Sequence, residues 1–385
     1  ARALDAGGHG CQAKGMTRAA TPWPLIGALY LAGLIAATQF AKIALTLGPL
    51  AERYPEAPVA FIVSGVAVMG VVFGVLAGGI TASLGPRRAI LIGLGISAIT
   101  GLGQAALPSF ALLMGLRVLE GAGHLLLVVA IPTLMAGLAS DRDRPLVMGI
   151  WATFFGVGFT LAALMIDENG SLGRVYLAHA ALAASLWGLL ALLLPRGFAP
   201  PTRRWPSLSD HLAIYQTPRL FAPALGHGIY AALFLALVTY LPAALNAPWL
   251  APVLPLAGLG GSLLAGILGR IFLPSQLVWG GFLAMALLFS AIPFMASAAP
   301  AVAILAMAVS GMVAGGGFAA VPWLNTSPED RALSNGALAQ LGNIGTFSGT
   351  PILAALGASQ AVPMAVIGGL LGAVLTLWAY RAALR

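Results

Sequence analysis

Twelve apolar stretches, each about as long as a bilayer is thick, make up most of this 385-residue chain. A helix rises about 1.5 Å per residue, so roughly 20 apolar residues cross the hydrocarbon core. Peptide groups in lipid must bond within their own segment, so each stretch is predicted to be a helix. The sequence therefore predicts an all-α membrane protein with twelve transmembrane helices. The predicted spans lie near residues 24–48, 59–82, 89–107, 110–137, 146–166, 175–194, 219–243, 250–270, 275–296, 300–323, 333–357 and 361–380.

Basic residues are concentrated in the loops on one side of these spans. Charged residues are 8% of the chain and hydrophobic residues 59%, which leaves too little charge for soluble domains. With the loops assigned alternately to two sides, one side has only Arg53 and Arg174. Cytoplasmic loops carry the excess of Lys and Arg, so both termini are predicted to be cytoplasmic, in a bacterial-style inner membrane. The net charge of +8 is thus a topology signal and predicts no nucleic-acid partner. The basic residues of the richer side are Arg2, Lys14, Arg18, Arg87, Arg88, Arg142, Arg144, Arg196, Arg203, Arg204, Arg219, Arg270, Arg331, Arg381 and Arg385.

A polar connection divides the spans into two sets of six. The predicted parts are a tail at 1–20, a bundle at 21–195, a cytoplasmic linker at 196–217 and a second bundle at 218–385. The tail is predicted to be poorly ordered, and it contains Cys11, the single cysteine of the chain. One cysteine forms neither a disulfide framework nor a metal cluster, so neither a metal nor another cofactor is predicted.

The two sets of spans repeat one sequence plan. Residues 140–149 read SDRDRPLVMG and residues 327–336 read SPEDRALSNG, with a constant shift of 187 residues. Both begin Ser-x-x-Asp, in which the serine oxygen accepts a backbone N–H and the acid favours the positive end of a helix. Gly158 and Gly345 have the same shift, and an Ala-Ile-Pro ending at Pro132 resembles the Ala-Val-Pro ending at Pro322. Six spans per copy predict parallel repeats, with a pseudo-two-fold axis along the membrane normal, as in transporters.

The loop between the second and third spans carries a recognisable signature. Residues 78–88 read GGITASLGPRR, which resembles the loop signature of the major facilitator superfamily. Gly78, Gly85, Arg87 and Arg88 match that signature, whereas Ala82 occupies the place of its aspartate. In the family this acid helps to latch the helix ends together. Arg270 stands at the equivalent place in the second half and is a candidate for another latch.

The fourth span gives a second match to the same family. Arg117, Gly121 and Gly123 fit its fourth-helix motif, while Glu120 replaces a glutamine. The Gly-Pro pair that is typical of antiporters in the fifth helix is missing, which favours import. The resemblance covers residues 20 to 382. It implies alternating access and, in most members, coupling to an ion gradient.

Three ionisable residues of the fourth span share one helix face. Arg117, Glu120 and His124 are spaced i, i+3 and i+7. A charge at membrane depth costs at least ~2.5–3.5 kcal/mol, so it is expected to face a cavity or a partner. One interpretation is an Arg117–Glu120 pair that only holds helices together. The other makes Glu120 a protonatable coupling group, with His124 either sharing its proton or donating to a carbonyl as a neutral side chain.

Lys42, on the first span, is the only lysine predicted inside a helix. With Arg117 and Glu120 it leaves one net positive charge, which favours an anionic substrate unless Lys42 extends to the membrane surface instead. His227 and Tyr230 on the seventh span are further candidates to hydrogen-bond a substrate. Gln340 and Asn343 on the eleventh span are candidates as well, with an interhelical hydrogen bond as the alternative for Asn343.

These features together predict a secondary transporter. The leading hypothesis is import of a small anionic solute coupled to protons, by a monomer whose other partner is the lipid bilayer. The alternatives are efflux of an amphipathic compound and a non-transporting membrane sensor with the same fold. An enzyme is not predicted, because the spans contain no Ser-His-Asp spacing and no carboxylate pair. The glycines at 315–317 lack the Lys-Ser/Thr ending of a nucleotide loop.

Overall fold

The computed structural model describes residues 20–166, 170–195 and 208–385, and this part of the chain is helical without a β-strand. The predicted tail with Cys11, and Arg196, Arg203 and Arg204 of the predicted linker, lie outside the described residues. The helices of the first half are α1 (Trp23–Ala44), α2 (Leu47–Arg53), α3 (Ala60–Leu84), α4 (Pro86–Ala105), α5 (Phe110–Leu138), α6 (Arg144–Ala152), α7 (Phe154–Met165) and α8 (Leu172–Leu193). They are followed by α9 (Leu208–Gln216), α10 (Pro218–Ala244), α11 (Leu250–Leu268), α12 (Pro274–Ala291), α13 (Ala299–Leu324), α14 (Pro328–Leu356) and α15 (Ala361–Ala383).

Each of the twelve predicted spans corresponds to a long helix or to a bent pair of helices. Ten single helices are long and apolar enough to cross a membrane, and the pair α6 and α7, bent by 42°, is an eleventh candidate. The remaining predicted span, at 333–357, is α14, whose 29 residues include several polar side chains that lower its hydropathy. The predicted all-α membrane fold is confirmed.

Two helix boundaries differ from the predicted spans for a local reason. Helix α1 ends at Ala44, four residues before the predicted end, and α2 follows it. A continuous helix would direct the ring of Pro49 into the carbonyl of Leu45, so the chain turns before it. The bend between α6 and α7 falls at Thr153, whose hydroxyl donates to the carbonyl of Ile150 at 2.7 Å. A side chain that competes for a helical carbonyl is a recognised cause of a kink.

The predicted serine cap is present in the second copy of the repeat, and in the first copy the serine closes a turn before the helix instead. Ser327 Oγ accepts the backbone N–H of Asp330 at 3.0 Å and caps α14. Ser140 Oγ accepts the N–H of Asp143 at 3.3 Å. In that copy the helix begins only at Arg144, so the serine closes a turn that leads into α6.

The two halves pack their helices in the same pattern. Helix α5 lies against α3 and α4, as α13 lies against α11 and α12. The pair α4 and α8 corresponds to α12 and α15, and α1 against α7 corresponds to α10 against α14. Such agreement is expected for parallel repeats, and it confirms two bundles related by a pseudo-two-fold axis.

Glycines bring the halves together along two seams, α3 against α14 and α6 against α11. A Cβ at Gly336 would lie 2.8 Å from the Gly74 carbonyl oxygen and 2.9 Å from Gly78 Cα. At the equivalent crossing, a Cβ at Gly149 would lie 2.8 Å from Gly266 Cα. Both crossings lie near the end of the bundle with the loops α3–α4, α5–α6, α11–α12 and α13–α14, which we call the basic end. The halves therefore meet close to the side that the sequence predicts to be cytoplasmic.

Candidate functional site

Two buried cations share one carboxylate inside the first half. Glu120 Oε1 accepts from Lys42 Nζ at 2.7 Å, and Glu120 Oε2 accepts from Arg117. Gln104 Nε2 also donates to Glu120 Oε2, at 2.8 Å. All four side chains are buried. We call Lys42, Gln104, Arg117 and Glu120 the ion cluster; its net charge is one positive.

Three helices build the ion cluster, and a fourth contributes a neighbouring histidine. Lys42 comes from α1, Gln104 from the end of α4, and Arg117 and Glu120 from successive turns of α5. His179 of α8 adds Nδ1 at 3.4 Å from Lys42 Nζ. Its Nε2 lies 3.3 Å from the carbonyl of Ile35, so Nε2 carries the hydrogen and Nδ1 is left to accept from the ammonium. The amine of Lys42 is thus held inside the half and does not extend to the membrane surface.

His124 lies beside the ion cluster in a separate polar group. Its Nδ1 is 3.1 Å from both the Ala36 carbonyl and Gln39 Oε1, and Gln39 Nε2 donates to Ser97 Oγ at 2.7 Å. Two acceptors face Nδ1, so this nitrogen carries a hydrogen. The geometry matches a histidine that donates to a carbonyl, which was one of the two alternatives open from sequence.

Sequence reasoning did not single out Gln39 or Gln104. Both are fully buried amides inside apolar spans. Their position inside apolar spans could have marked them as candidate site residues, because a polar group at membrane depth needs a partner. Their partners lie on other helices, however, and helix neighbours cannot be listed from one sequence.

The second half has the same fold, but uncharged residues occupy the positions that correspond to the ion cluster. Pro132 and Pro322 align α5 with α13 at a shift of 190 residues, which places Met307 and Ser310 opposite Arg117 and Glu120. Gly33 contacts Phe154 as Gly228 contacts Leu341, which aligns α1 with α10 at a shift of 195 and places Leu237 opposite Lys42. All three counterparts are buried. Packing of this fold therefore does not itself require the ion cluster.

The candidates of the second half lie close to the surface between the halves. His227 contacts the rings of Phe318 and Tyr230, with centroids 5.1 and 5.9 Å apart, and its Nδ1 is buried without a hydrogen-bond partner. Gln340 Nε2 donates to the carbonyl of Val71 in the first half at 2.6 Å, and Gln340 Oε1 accepts from Tyr215 of α9.

Asn343 takes part in the same α3–α14 seam. Its Nδ2 donates to the carbonyl of Ala339 in its own helix at 2.7 Å, and its side chain lies against Gly70 of α3. Gln340 therefore joins two helices by a hydrogen bond, whereas Asn343 bonds within its own helix and packs against α3. Both remain predictions as substrate ligands.

An ion pair at the basic end joins the halves between the α5–α6 and α11–α12 loops. Arg270 Nη2 lies 3.3 Å from Asp143 Oδ1. Thr21 and Ser140 donate to Asp143 Oδ2 at 2.8 and 3.0 Å, and these hydrogen bonds lower the pKa of Asp143. The carboxylate is thereby kept ionised for Arg270.

The remaining residues of the signature have local contacts. Arg87 donates to the carbonyls of Ala191 and Leu194 at the end of α8. Arg88 is exposed, and Gly85 has a φ of 79°, which favours glycine. A Cβ at Gly78 would lie 2.7 Å from the Ala332 carbonyl oxygen across the seam. The loop therefore ties helices of the first half together, while Gly78 contributes to the contact between halves.

Replacing Gly336 by valine should separate the halves at the basic end. The added atoms would meet backbone of α3, which can yield only if the helices move apart. Transport should fall by at least about tenfold as one state is depleted. Uptake into proteoliposomes, with thiol labelling of an Asn335→Cys variant to report the opening, measures both effects. Gly280→Val is the matched control, since its Cβ meets nothing within 4 Å; equal losses in both variants would refute the steric explanation.

Two repeated six-helix bundles, joined along glycine seams and holding a buried ion cluster, define a membrane transporter of the alternating-access type. The sequence profile described as Major Facilitator Superfamily matches residues 29–350. The chain belongs to the Major Facilitator Superfamily and is a multi-pass membrane transporter.

Individual relatives are distant. The chain is similar to "Uncharacterized MFS-type transporter YvkA" of Bacillus subtilis (strain 168), with 29% identity over 138 residues. That match covers 35% of this chain and 30% of the relative, so it spans less than a third of the relative's length.

Two solved structures cover nearly all of the chain. The E. coli fucose:proton symporter FucP superposes with a TM-score of 0.76 at 15% identity, covering 94% of this chain and 99% of its own. The human organic anion transporter MFSD10 (TETRAN) gives a TM-score of 0.70 at 17% identity, covering 93% and 98%. At these identities the likeness shows the fold alone.

Proposed function

We propose that this chain imports a small anionic solute together with protons. The supporting observation is that Lys42 and Arg117 both pair with the single carboxylate of Glu120, which leaves one positive charge uncompensated. The proposed location is a bacterial-style inner membrane with both termini in the cytoplasm, as the distribution of Lys and Arg predicts. The proposed working unit is a monomer.

Protonation of Glu120 would couple the two fluxes. A neutral carboxylic acid no longer compensates two cations, so the ion cluster would rise from one to two net positive charges. An uncompensated buried charge is costly, and an entering anion removes that cost. Without the proton, the carboxylate would repel the anion. Proton and anion therefore bind together, and the loaded cluster has the same net charge as the empty one.

The fold supplies the movement that this coupling needs. The halves touch at the basic end through the glycine seams and the Arg270–Asp143 pair. Access from the predicted cytoplasm requires that these contacts open while others form at the opposite end. Each half can move as a unit, because its helices pack mainly against one another.

Replacing Lys42 by glutamine should abolish anion uptake and spare a neutral or cationic substrate. The change leaves the Arg117–Glu120 pair intact but removes the positive charge that selects an anion. Uptake into proteoliposomes under an imposed pH gradient should fall by at least about tenfold. The solute is the anion that most raises the melting temperature in a screen of small anions and cations.

Arg174→Gln is the matched control, because Arg174 is exposed and lies outside the ion cluster. It should transport like the parent protein. Unchanged anion uptake by the Lys42 variant would contradict an anionic substrate. Movement out of the vesicles against the proton gradient would instead identify efflux.

A further inference from the structure

A band of aromatic rings runs from the ion cluster across to the second half. It begins at Phe40, whose centroid is 5.1 Å from that of His124, and it crosses between the halves where Trp151 meets Phe318 at 6.3 Å. The aromatic band consists of Phe40, Phe155, Phe154, Trp151, Phe318, His227 and Tyr230, and each ring contacts the next at centroid distances of 4.4 to 6.3 Å.

The accessible rings lie at the two ends of the band, and the buried rings lie in its middle. Trp151, Phe154 and Phe318 are buried and hold the band in place. Phe155 of α7 is 41% exposed, and Phe40 and Tyr230 are half-buried. Ring surface is thus accessible on both halves, beside the place where the halves meet. A transported molecule that enters between the halves would contact it.

Two polar atoms of the band have no partner within the described part of the chain. They are Nδ1 of His227 and Nε1 of Trp151, and both are buried. A buried polar atom without a hydrogen bond is destabilising, so a ligand oxygen that reaches either atom would be favoured. The indole N–H can only donate, which makes an acceptor oxygen the matching group.

The charge of a bound anion and the aromatic band must occupy different places. The face of an aromatic ring carries partial negative charge, so it repels an anionic group and attracts the edge of another ring. An anion would therefore direct its charged group to Lys42 and Arg117 and its body to the band. A sugar, in contrast, would need several hydrogen-bonding side chains, and binding sites with apolar walls and few polar groups suit apolar bodies.

We propose that the solute is an aromatic organic acid, with its carboxylate at the ion cluster and its ring against Phe40 and Phe155. This inference rests on the proposed function, since it specifies the body of the proposed anion. The aromatic pairs formed with such a ring stabilise the complex beyond the apolar area that they bury. An aliphatic acid of similar charge lacks that contribution.

Binding of simple probes to the purified full chain tests the inference. Benzoate, acetate and benzylamine are titrated at pH 7 by calorimetry and by thermal shift. Benzoate should bind with a dissociation constant at least about tenfold below that of acetate, a difference of about 1.4 kcal/mol. Phe155→Leu should remove most of that preference, and Phe155→Tyr should keep it. Phe289→Leu is the control, because Phe289 is buried in the core of the second half.

The outcomes separate this inference from the proposed function. Equal binding of benzoate and acetate overturns the aromatic body and leaves the anion in place. Binding of benzylamine instead of benzoate, lost in Phe155→Leu, supports the band and overturns the anion. A preference for benzoate that survives Phe155→Leu but not Phe289→Leu would overturn the assignment of the band.

Discussion

Exchanging the whole ion cluster for the residues of the second half should leave the protein folded and inactive. The variant combines Lys42→Leu, Arg117→Met and Glu120→Ser, copying Leu237, Met307 and Ser310. Replacing buried ion pairs by apolar residues of similar volume is often neutral or stabilising, and Leu and Met meet that condition for Lys42 and Arg117, while serine removes the charge that they balanced. Its melting temperature should therefore stay near or above that of the parent, while anion uptake falls to background. Thermal unfolding in detergent and uptake into proteoliposomes measure the two properties.

The single variant Glu120→Ser is the counterpart of this experiment. It leaves Lys42 and Arg117 buried without their carboxylate, which is expected to cost about 3–5 kcal/mol of stability. A triple variant as unstable as the single one would show that the cluster mainly holds helices together. A stable triple variant with normal transport would make the cluster dispensable for transport. If the parent protein itself transports nothing, the non-transporting sensor is favoured instead.

Replacing Glu120 by glutamine should uncouple anion movement from the proton. Glutamine resembles the protonated acid in shape and in lack of charge, so the variant behaves as if the proton were always bound. Accumulation driven by a pH gradient should fall to background, while exchange of internal for external anion stays within about threefold of the parent. Both assays use the same proteoliposomes and the same anion.

Glu52→Gln provides the matched control for uncoupling, because Glu52 is an exposed carboxylate on α2. It should keep both accumulation and exchange. If Glu120→Gln still accumulated the anion in response to a pH gradient, the coupling proton would have to bind elsewhere. If the variant lost both exchange and accumulation while its melting temperature stayed normal, Glu120 would be needed for binding of the anion itself.

Prediction from sequence succeeded where local chemistry decides the outcome. The Ser-x-x-Asp motif predicts a capped α14, and Ser327 does accept the N–H of Asp330, three residues along the chain. The i, i+3 spacing likewise predicts the Arg117–Glu120 pair. The break at Thr153 was not predicted, because a single hydroxyl that competes for one carbonyl has no strong sequence signal. Neither was α9, whose Tyr215 reaches Gln340 across 125 residues of sequence.

The sequence alone determined where the long apolar spans lie, their order and their duplication. A peptide group buried in lipid must form its hydrogen bond within its own helix, so the length and composition of a span are enough to predict a helix there. Only the tertiary structure decided that Lys42 meets Glu120, 78 residues away, and that Arg270 reaches Asp143 in the other half. Those pairings depend on how each helix is rotated and which helix lies beside it. Contacts of glycines and packing of aromatic rings determine the rotation and the neighbours of each helix. These contacts form only when segments distant in sequence come together.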